Sequence, residues 1–200
     1  MSSLAVILIV VAVIVILGAL LIGIYNKLVA LRARFENAFA QIEVQLTRRY
    51  DLIPNIVETA KAYLKHESET LAKVTAARNG ALESLQAAAA RPNDPAAISA
   101  LNAAEQNLAG SLGGLRVQLE AYPELKANTV MMQLSEELTA TENRVAFARQ
   151  AFNDAVTFYN IQRKSFPANL VAGMFGHTQD AALLEFANTE AIQAAPKVSF

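Results

Sequence analysis

The chain has 200 residues, a formal net charge of −1, and neither cysteine nor tryptophan. So even a charge balance sets up no strong field for nucleic acid or acidic lipid. The lack of cysteine excludes disulfides, thiolate catalysis, Cys-ligated metals and a lipidated cysteine anchor.

The first element is a run of about 21 uncharged, almost wholly apolar residues, Leu4 to Ile24, which at 1.5 Å per helical residue reaches about 31 Å, the thickness of a bilayer's hydrocarbon core. A cleaved signal peptide would want a basic start, a shorter apolar stretch and a small-residue cleavage site. Met1-Ser2-Ser3 carries no basic side chain, so a retained anchor is expected, running from Leu4 through Ile14, Gly18, Gly23 and Ile24 to Tyr25, whose ring suits the headgroup region. Ala19 and Gly23 form a small-xxx-small pair that either lets two anchors approach or fills space in lipid. Lys27, Arg32 and Arg34 follow the segment and no basic residue precedes it. This bias predicts residues 1–3 outside, a transmembrane helix over 4–24 and a cytoplasmic body at the inner face of a bacterial membrane.

The body of about 175 residues suits one domain, rich in helix formers and poor in β-branched alternation, and so all-helical. Helix 1 continues out of the membrane without a break. Phe35, Phe39, Ile42, Leu46, Ile53, Val57, Ala60 and Leu64 recur at steps of three, four or seven and form one apolar stripe. Pro54 lies inside it and should kink the helix or restart it, with Asp51 or its neighbours capping the restart. A second helix is expected over about Glu67 to Ala90, ended by Pro92. Asp94-Pro95 is an N-cap and first-turn pair for a third helix to about Ala121, in which Gly110, Gly113 and Gly114 mark either a tight crossing or a local break. Tyr122-Pro123 ends that helix, and Asn128 or Thr129 begins the last long one. There Leu134, Leu138, Thr141, Val145, Ala148, Phe152, Ala155 and Tyr159 form a coiled-coil-like seam closed by Ser165-Phe166-Pro167. Long helices joined by short turns predict an all-α fold, with the membrane helix running on into an antiparallel bundle over residues 25–166 and a C-terminal segment over 167–200.

No phosphate loop, nucleophile elbow or zinc-helix motif is present, so no catalytic, cofactor-binding or metal-binding residue is assigned. His66 lacks the Glu three residues earlier that a ferritin-like site needs, because Tyr63 stands there, and it is read as a surface or capping residue. His177 is given no role. The polar positions flanking the seams are Arg49 and Tyr50 on the first helix and Glu142, Asn153 and Asn160 on the last. These are read as a partly buried network that fixes helix register, with Arg49 paired to Glu142.

Large apolar residues also lie off the seams. Phe147 and Phe158 are 11 residues apart and share one side of the last helix, while Val44 and Leu52 depart from the core stripe of the first. Asn169 to Phe175, with Leu170 and Phe175, is apolar but too short to span; it either tucks onto its own bundle, grips a neighbour or dips into the headgroups. Ala181 to Phe186 is a further small apolar patch. Val44, Leu52, Phe147, Phe158, Leu170 and Phe175 are therefore the candidate contacts of a homo-oligomer, and anchors held in one plane raise its effective concentration.

Three segments in order carry a resemblance: Tyr25-Asn26-Lys27-Leu28-Val29 through Arg48-Arg49-Tyr50-Asp51-Leu52-Ile53-Pro54-Asn55; Tyr122-Pro123-Glu124-Leu125-Lys126-Ala127-Asn128; and Thr141-Glu142-Asn143-Arg144 with Tyr159-Asn160 and Phe166-Pro167. The chain after Ile24 resembles the LemA family, departing at Phe39, where many relatives carry tryptophan. The resemblance implies an N-terminal transmembrane helix, a short outward N-terminus and a cytoplasmic helical domain. Some relatives act in building magnetosome membranes, and the family's biochemical activity is undefined.

The leading expectation is a non-enzymatic structural protein that self-assembles on the inner face of the membrane and organises or shapes it. The alternative is a membrane-anchored adaptor recruiting a protease or signalling partner through the Phe147/Phe158 face. An enzyme using the Arg/Glu/Asn layer would lack a nucleophile, a placed base and a cofactor motif. Interspersed acids and bases also argue against nucleic-acid binding.

Overall fold

Helix α1 runs from Ser3 to Lys61, 59 residues or about 88 Å, so one continuous rod holds both the apolar opening and the first helix of the body. In the computed structural model, which describes residues 3–64 and 67–185, its large side chains from Leu4 to Ile22 are exposed, and burial begins at Ile24 and Leu28. That changeover falls where hydropathy ends the apolar run. Phe35, Phe39, Ile42, Leu46, Tyr50, Ile53, Val57 and Ala60 then line the buried stripe.

The proline does not restart the helix. Pro54 lacks the N–H that would bond the carbonyl four residues earlier, that of Tyr50. Arg78 reaches across from the next helix, its Nε donating to that carbonyl at 3.1 Å. Asp51 caps nothing and lies 3.7 Å from the same guanidinium. A neighbour thus satisfies the orphaned acceptor, and α1 continues for seven more residues.

Helix α2 (Ser68–Ala90) and α3 (Pro95–Ala121) form an antiparallel pair, and α2 also packs on α1. The Asp94 side chain accepts from the Ala96 N–H at 2.9 Å and Pro95 takes the first turn, as their types dictate. α3 runs unbroken through Gly110, Gly113 and Gly114, which are exposed with open space around them, so they mark neither a break nor a crossing. The packing of α3 is carried by Ile98, Leu101, Glu105, Leu108 and Leu115 on its other face.

After the single turn α4 (Pro123–Lys126), helix α5 (Thr129–Lys164) starts at Asn128, whose side chain accepts from the Met131 N–H at 3.1 Å. α5 returns along α1 in the most extensive interface of the fold. Edge-to-face ring pairs run through it: Phe35 with Phe152 and Tyr159 at 6.3 and 5.2 Å, and Phe39 with Phe152 at 5.6 Å. Each such pair is worth about 0.5–1.5 kcal/mol beyond its buried area. At the far end the Asn128 amide donates to the Tyr63 hydroxyl at 3.1 Å. A short cap, α6 (Ala168–Val171) and a 3₁₀ turn (Ala172–Phe175), follows α5. His66 and Phe186 lie outside the described residues.

Candidate functional site

Two polar arrangements tie the helices together. In the first, Glu105 on α3 is 2% exposed and uses both carboxylate oxygens: Arg49 Nη1 donates to one at 2.6 Å and the Tyr50 hydroxyl to the other at 2.5 Å. Burial, and then the charge of Glu105, push the Tyr50 phenol far above its ordinary range, so it stays protonated as a donor. The sequence expectation of Arg49 with Glu142 is corrected here. Glu142 is half-buried on the rim of a groove between α3 and α5, and Glu105 occupies the position beside Arg49. Arg49 and Tyr50 belong to this network; Asn153 and Asn160 do not.

Asn153 and Asn160 instead hold the chain that follows the cap. Gly176, at φ +80°, turns the backbone, and the His177 N–H closes on the Ala172 carbonyl at 3.0 Å. Residues 177–185 then run back along α5 without helical structure. The Asn160 carboxamide donates to the Ala181 carbonyl at 2.9 Å and accepts from its N–H at 3.0 Å. Asn153 makes the same pair of bonds with Leu184, at 3.0 and 2.9 Å. From the other side, Asn102 of α3 donates to the Leu183 carbonyl and accepts from the Glu185 N–H, at 3.2 and 3.0 Å. The spacing fits: seven helical residues advance about 10.5 Å, and three extended ones about 10 Å. Ala181 and Leu184 are buried between the helices as a result.

His177, 4% exposed, places Nδ1 2.9 Å from the Tyr159 hydroxyl. Burial, and then the charges of Arg32 and Arg163, hold its pKa below the ordinary imidazole value of 6.5. The unfolded chain therefore takes up this proton at a higher pH than the folded one. The contribution of this residue is expected to be flat above 6.5 and to fall as pH drops from there through the folded value. Asp180, bonded first by Lys164 and also by Arg163, is held below 3.8 and loses its contribution in a separate, more acid window. Thermal melts across mildly acid pH check this, and His177→Gln should abolish only the upper window. Equal pH dependence in wild type and H177Q would contradict it.

The outer faces divide. Phe147, Phe158 and Val44 are 74%, 53% and 59% exposed, with the Arg34 guanidinium 5.9 Å from the Phe158 ring. Leu52 is 8% exposed and turned into its own protomer, which corrects its grouping with the outer residues. Leu170 is exposed, whereas Phe175 is half-buried with its ring 5.2 Å from that of Tyr25. Among the described residues, no group of His, Asp and Glu is placed to hold a metal ion. The groove between α3 and α5, about 500 Å³, has Leu112, Leu115, Met131 and Leu138 among its lining, with Arg116, Glu136 and Glu142 beside them. Glu105 is the network residue that the sequence reading missed. The signal was an acid at a seam position between Leu101 and Leu108.

Together these features define an all-helical protein with one long apolar N-terminal helix, fit by length and composition to cross a membrane. The chain belongs to the LemA family, whose sequence pattern matches residues 38–200. It is 25% identical over 151 residues to Protein LemA of Metamycoplasma hominis, covering 76% of this chain and 64% of that protein. It is 28% identical over 167 residues to each of the magnetosome proteins MamQ 2 and MamQ 1 of Paramagnetospirillum magneticum, covering 76% of this chain and 61% of theirs. The chain thus spans less than two thirds of the length of these curated relatives.

Proposed function

We propose that this protein is a non-enzymatic, single-pass protein of the bacterial inner membrane that self-associates sideways into an assembly organising or shaping the bilayer. Its helical body is a LemA-like four-helix bundle over residues 25–166, held in the cytoplasm, with the short N-terminus outside. Lys27, Arg32 and Arg34 beside the apolar segment support that orientation. Two relatives named as magnetosome proteins fit a role at a membrane structure.

The observation that carries self-association is Phe147. It lies 74% exposed on a helix whose opposite face is already filled by α1. Phe158 and Val44 add to the same argument. Extraction of the full chain in mild detergent is expected to yield particles much larger than one subunit. Phe147→Glu should shift them toward the single chain without lowering the melting temperature, because the residue packs on little in its own protomer. Wild-type protein that stays monomeric across micromolar concentrations would count decisively against self-association.

The groove between α3 and α5 favours a second reading, an adaptor that takes an apolar segment of another protein there. Crosslinking in cells separates the two. Mainly self-adducts support assembly, and one dominant foreign adduct supports the adaptor.

A further inference from the structure

We infer that the cap after α5 is a second membrane contact, a foot resting on the same bilayer surface from which α1 emerges. The inference rests on the reading of residues 4–24 as a lipid-crossing anchor. Its geometric basis is the pairing of Phe175 with Tyr25, ring centroids 5.2 Å apart. Tyr25 directly follows the apolar run, so whatever packs on it sits at headgroup depth. The antiparallel register agrees. Phe39 lies beside Phe152 and Arg34 over Phe158, and carrying that register along both helices brings Tyr25 level with Phe166.

The side chains are sorted as such a contact requires. Ala168 and Ala172 are buried against the body, at 1% and 2% exposure. Phe166, Leu170 and Met174, every fourth residue, are 79%, 66% and 82% exposed. Those are large values for an aromatic, a leucine and a methionine within nine residues, and a polar solvent offers them nothing. Lipid is the occupant argued for, because the patch adjoins the exposed apolar surface of Leu20, Leu21 and Ile22 through Tyr25 and Phe175. The cap is far too short to span. It suits shallow burial at the boundary between headgroups and acyl chains, where Phe, Leu and Met partition well. Lys27, exposed two residues further along α1, adds a cation close to the same depth. With one contact the rod and its body tilt together in the bilayer; with two that tilt is set, and every copy presents its outer faces at the same angle to the membrane.

The chain has no tryptophan, so a single introduced one reports its own surroundings. Ile14→Trp, Met174→Trp and Phe147→Trp would be made in the full chain, with Phe166→Trp as a second probe of the cap. Each would be reconstituted in phosphatidylcholine/phosphatidylglycerol vesicles brominated at shallow or deep acyl positions. Phe147 lies about 28 Å along α5 from Phe166 and serves as the distant control. Emission from I14W should be lost to deep bromines. M174W and F166W should be blue-shifted and lose emission mainly to shallow bromines, and F147W should respond to neither. If I14W is quenched while M174W and F166W emit as water-exposed and are quenched by acrylamide, the anchor stands and the foot is wrong. If the cap probes are blue-shifted but shielded from both bromine and acrylamide, a second copy covers the cap and the inference also fails. An unquenched I14W would remove the anchor itself, and the foot with it.

Discussion

Glu105→Ala is expected to cost a large fraction of the stability of the helical body. It would leave the Arg49 guanidinium, 6% exposed, without its carboxylate, and the Tyr50 hydroxyl, whose residue is fully buried, without its acceptor. Breaking one side of a buried ion pair costs about 3–5 kcal/mol. An orphaned buried hydroxyl costs about 1–3 kcal/mol more, and the two are not additive. Against a total of about 5–15 kcal/mol for a domain, this is enough to unfold much of the population near physiological temperature. Thermal unfolding followed by helical circular dichroism in detergent measures it.

Two companion variants separate charge from shape. Glu105→Gln keeps an acceptor for Tyr50 but leaves Arg49 buried and uncompensated, so it should fall between wild type and alanine. The triple change Arg49→Met, Tyr50→Phe, Glu105→Leu removes every polar partner together and should recover most of the loss, since apolar replacements of buried pairs are often neutral or better. An E105A protein that melts with the wild type would mean that the pair contributes nothing. The network's role is then positional. It fixes α3 to α1, the helix that enters the membrane, at a level where few other contacts join those two helices.

Local rules made much of this fold legible. The apolar opening of α1, the Asp94-Pro95 start of α3, the Asn128 start of α5 and the Phe35/Phe39 stripe all follow from residue type and spacing. What stayed hidden depends on a second helix. Pro54 predicts a break because its own sequence offers no replacement donor; Arg78, 28 residues from Tyr50, supplies one. Glu105 falls on the seam with Leu101, Leu108 and Leu115, which was visible, but the partner of Arg49 was expected at Glu142 of α5 because nothing local says that α3 lies nearer to Arg49. Leu52 looked peripheral because it is off the α1 stripe, yet a helix that packs on both α2 and α5 buries more than one stripe. Asn153 and Asn160 were recognisable as seam-flanking polar groups. Their partner is a backbone, and a backbone leaves no signature in composition.

Asn153→Asp combined with Asn160→Asp is expected to unlatch residues 177–185 while α1 and α5 stay folded. Each carboxamide presents an oxygen to an N–H and a nitrogen to the carbonyl of one residue, Ala181 or Leu184. An aspartate keeps the first bond but turns a second acceptor onto the carbonyl, so one bond at each site becomes a repulsion. The two bonds lost, at about 0.5–1.5 kcal/mol each, make roughly 1–3 kcal/mol, and the two repulsions add to it. Amide exchange at Ala181 and Leu184 reads this directly, because those two N–H groups are the donors; it should accelerate by roughly a hundredfold or more. Asn→Ala at the same positions loses all four bonds, roughly 2–6 kcal/mol in total, and leaves both N–H groups without an acceptor, so it should accelerate exchange at least as much. Asn102, holding Leu183 and Glu185 from α3, would remain as the polar clasp on that end of the segment, so adding Asn102→Ala should free residues 183–185 further. Unchanged exchange at both amides in the double aspartate variant would show that apolar burial of Ala181 and Leu184, with Asn102 and the Asp180 ion pairs, holds the segment without these two asparagines. The expected outcome places the latch in the asparagines, a sequence-blind grip that depends on an extended chain lying in register with one heptad of helix.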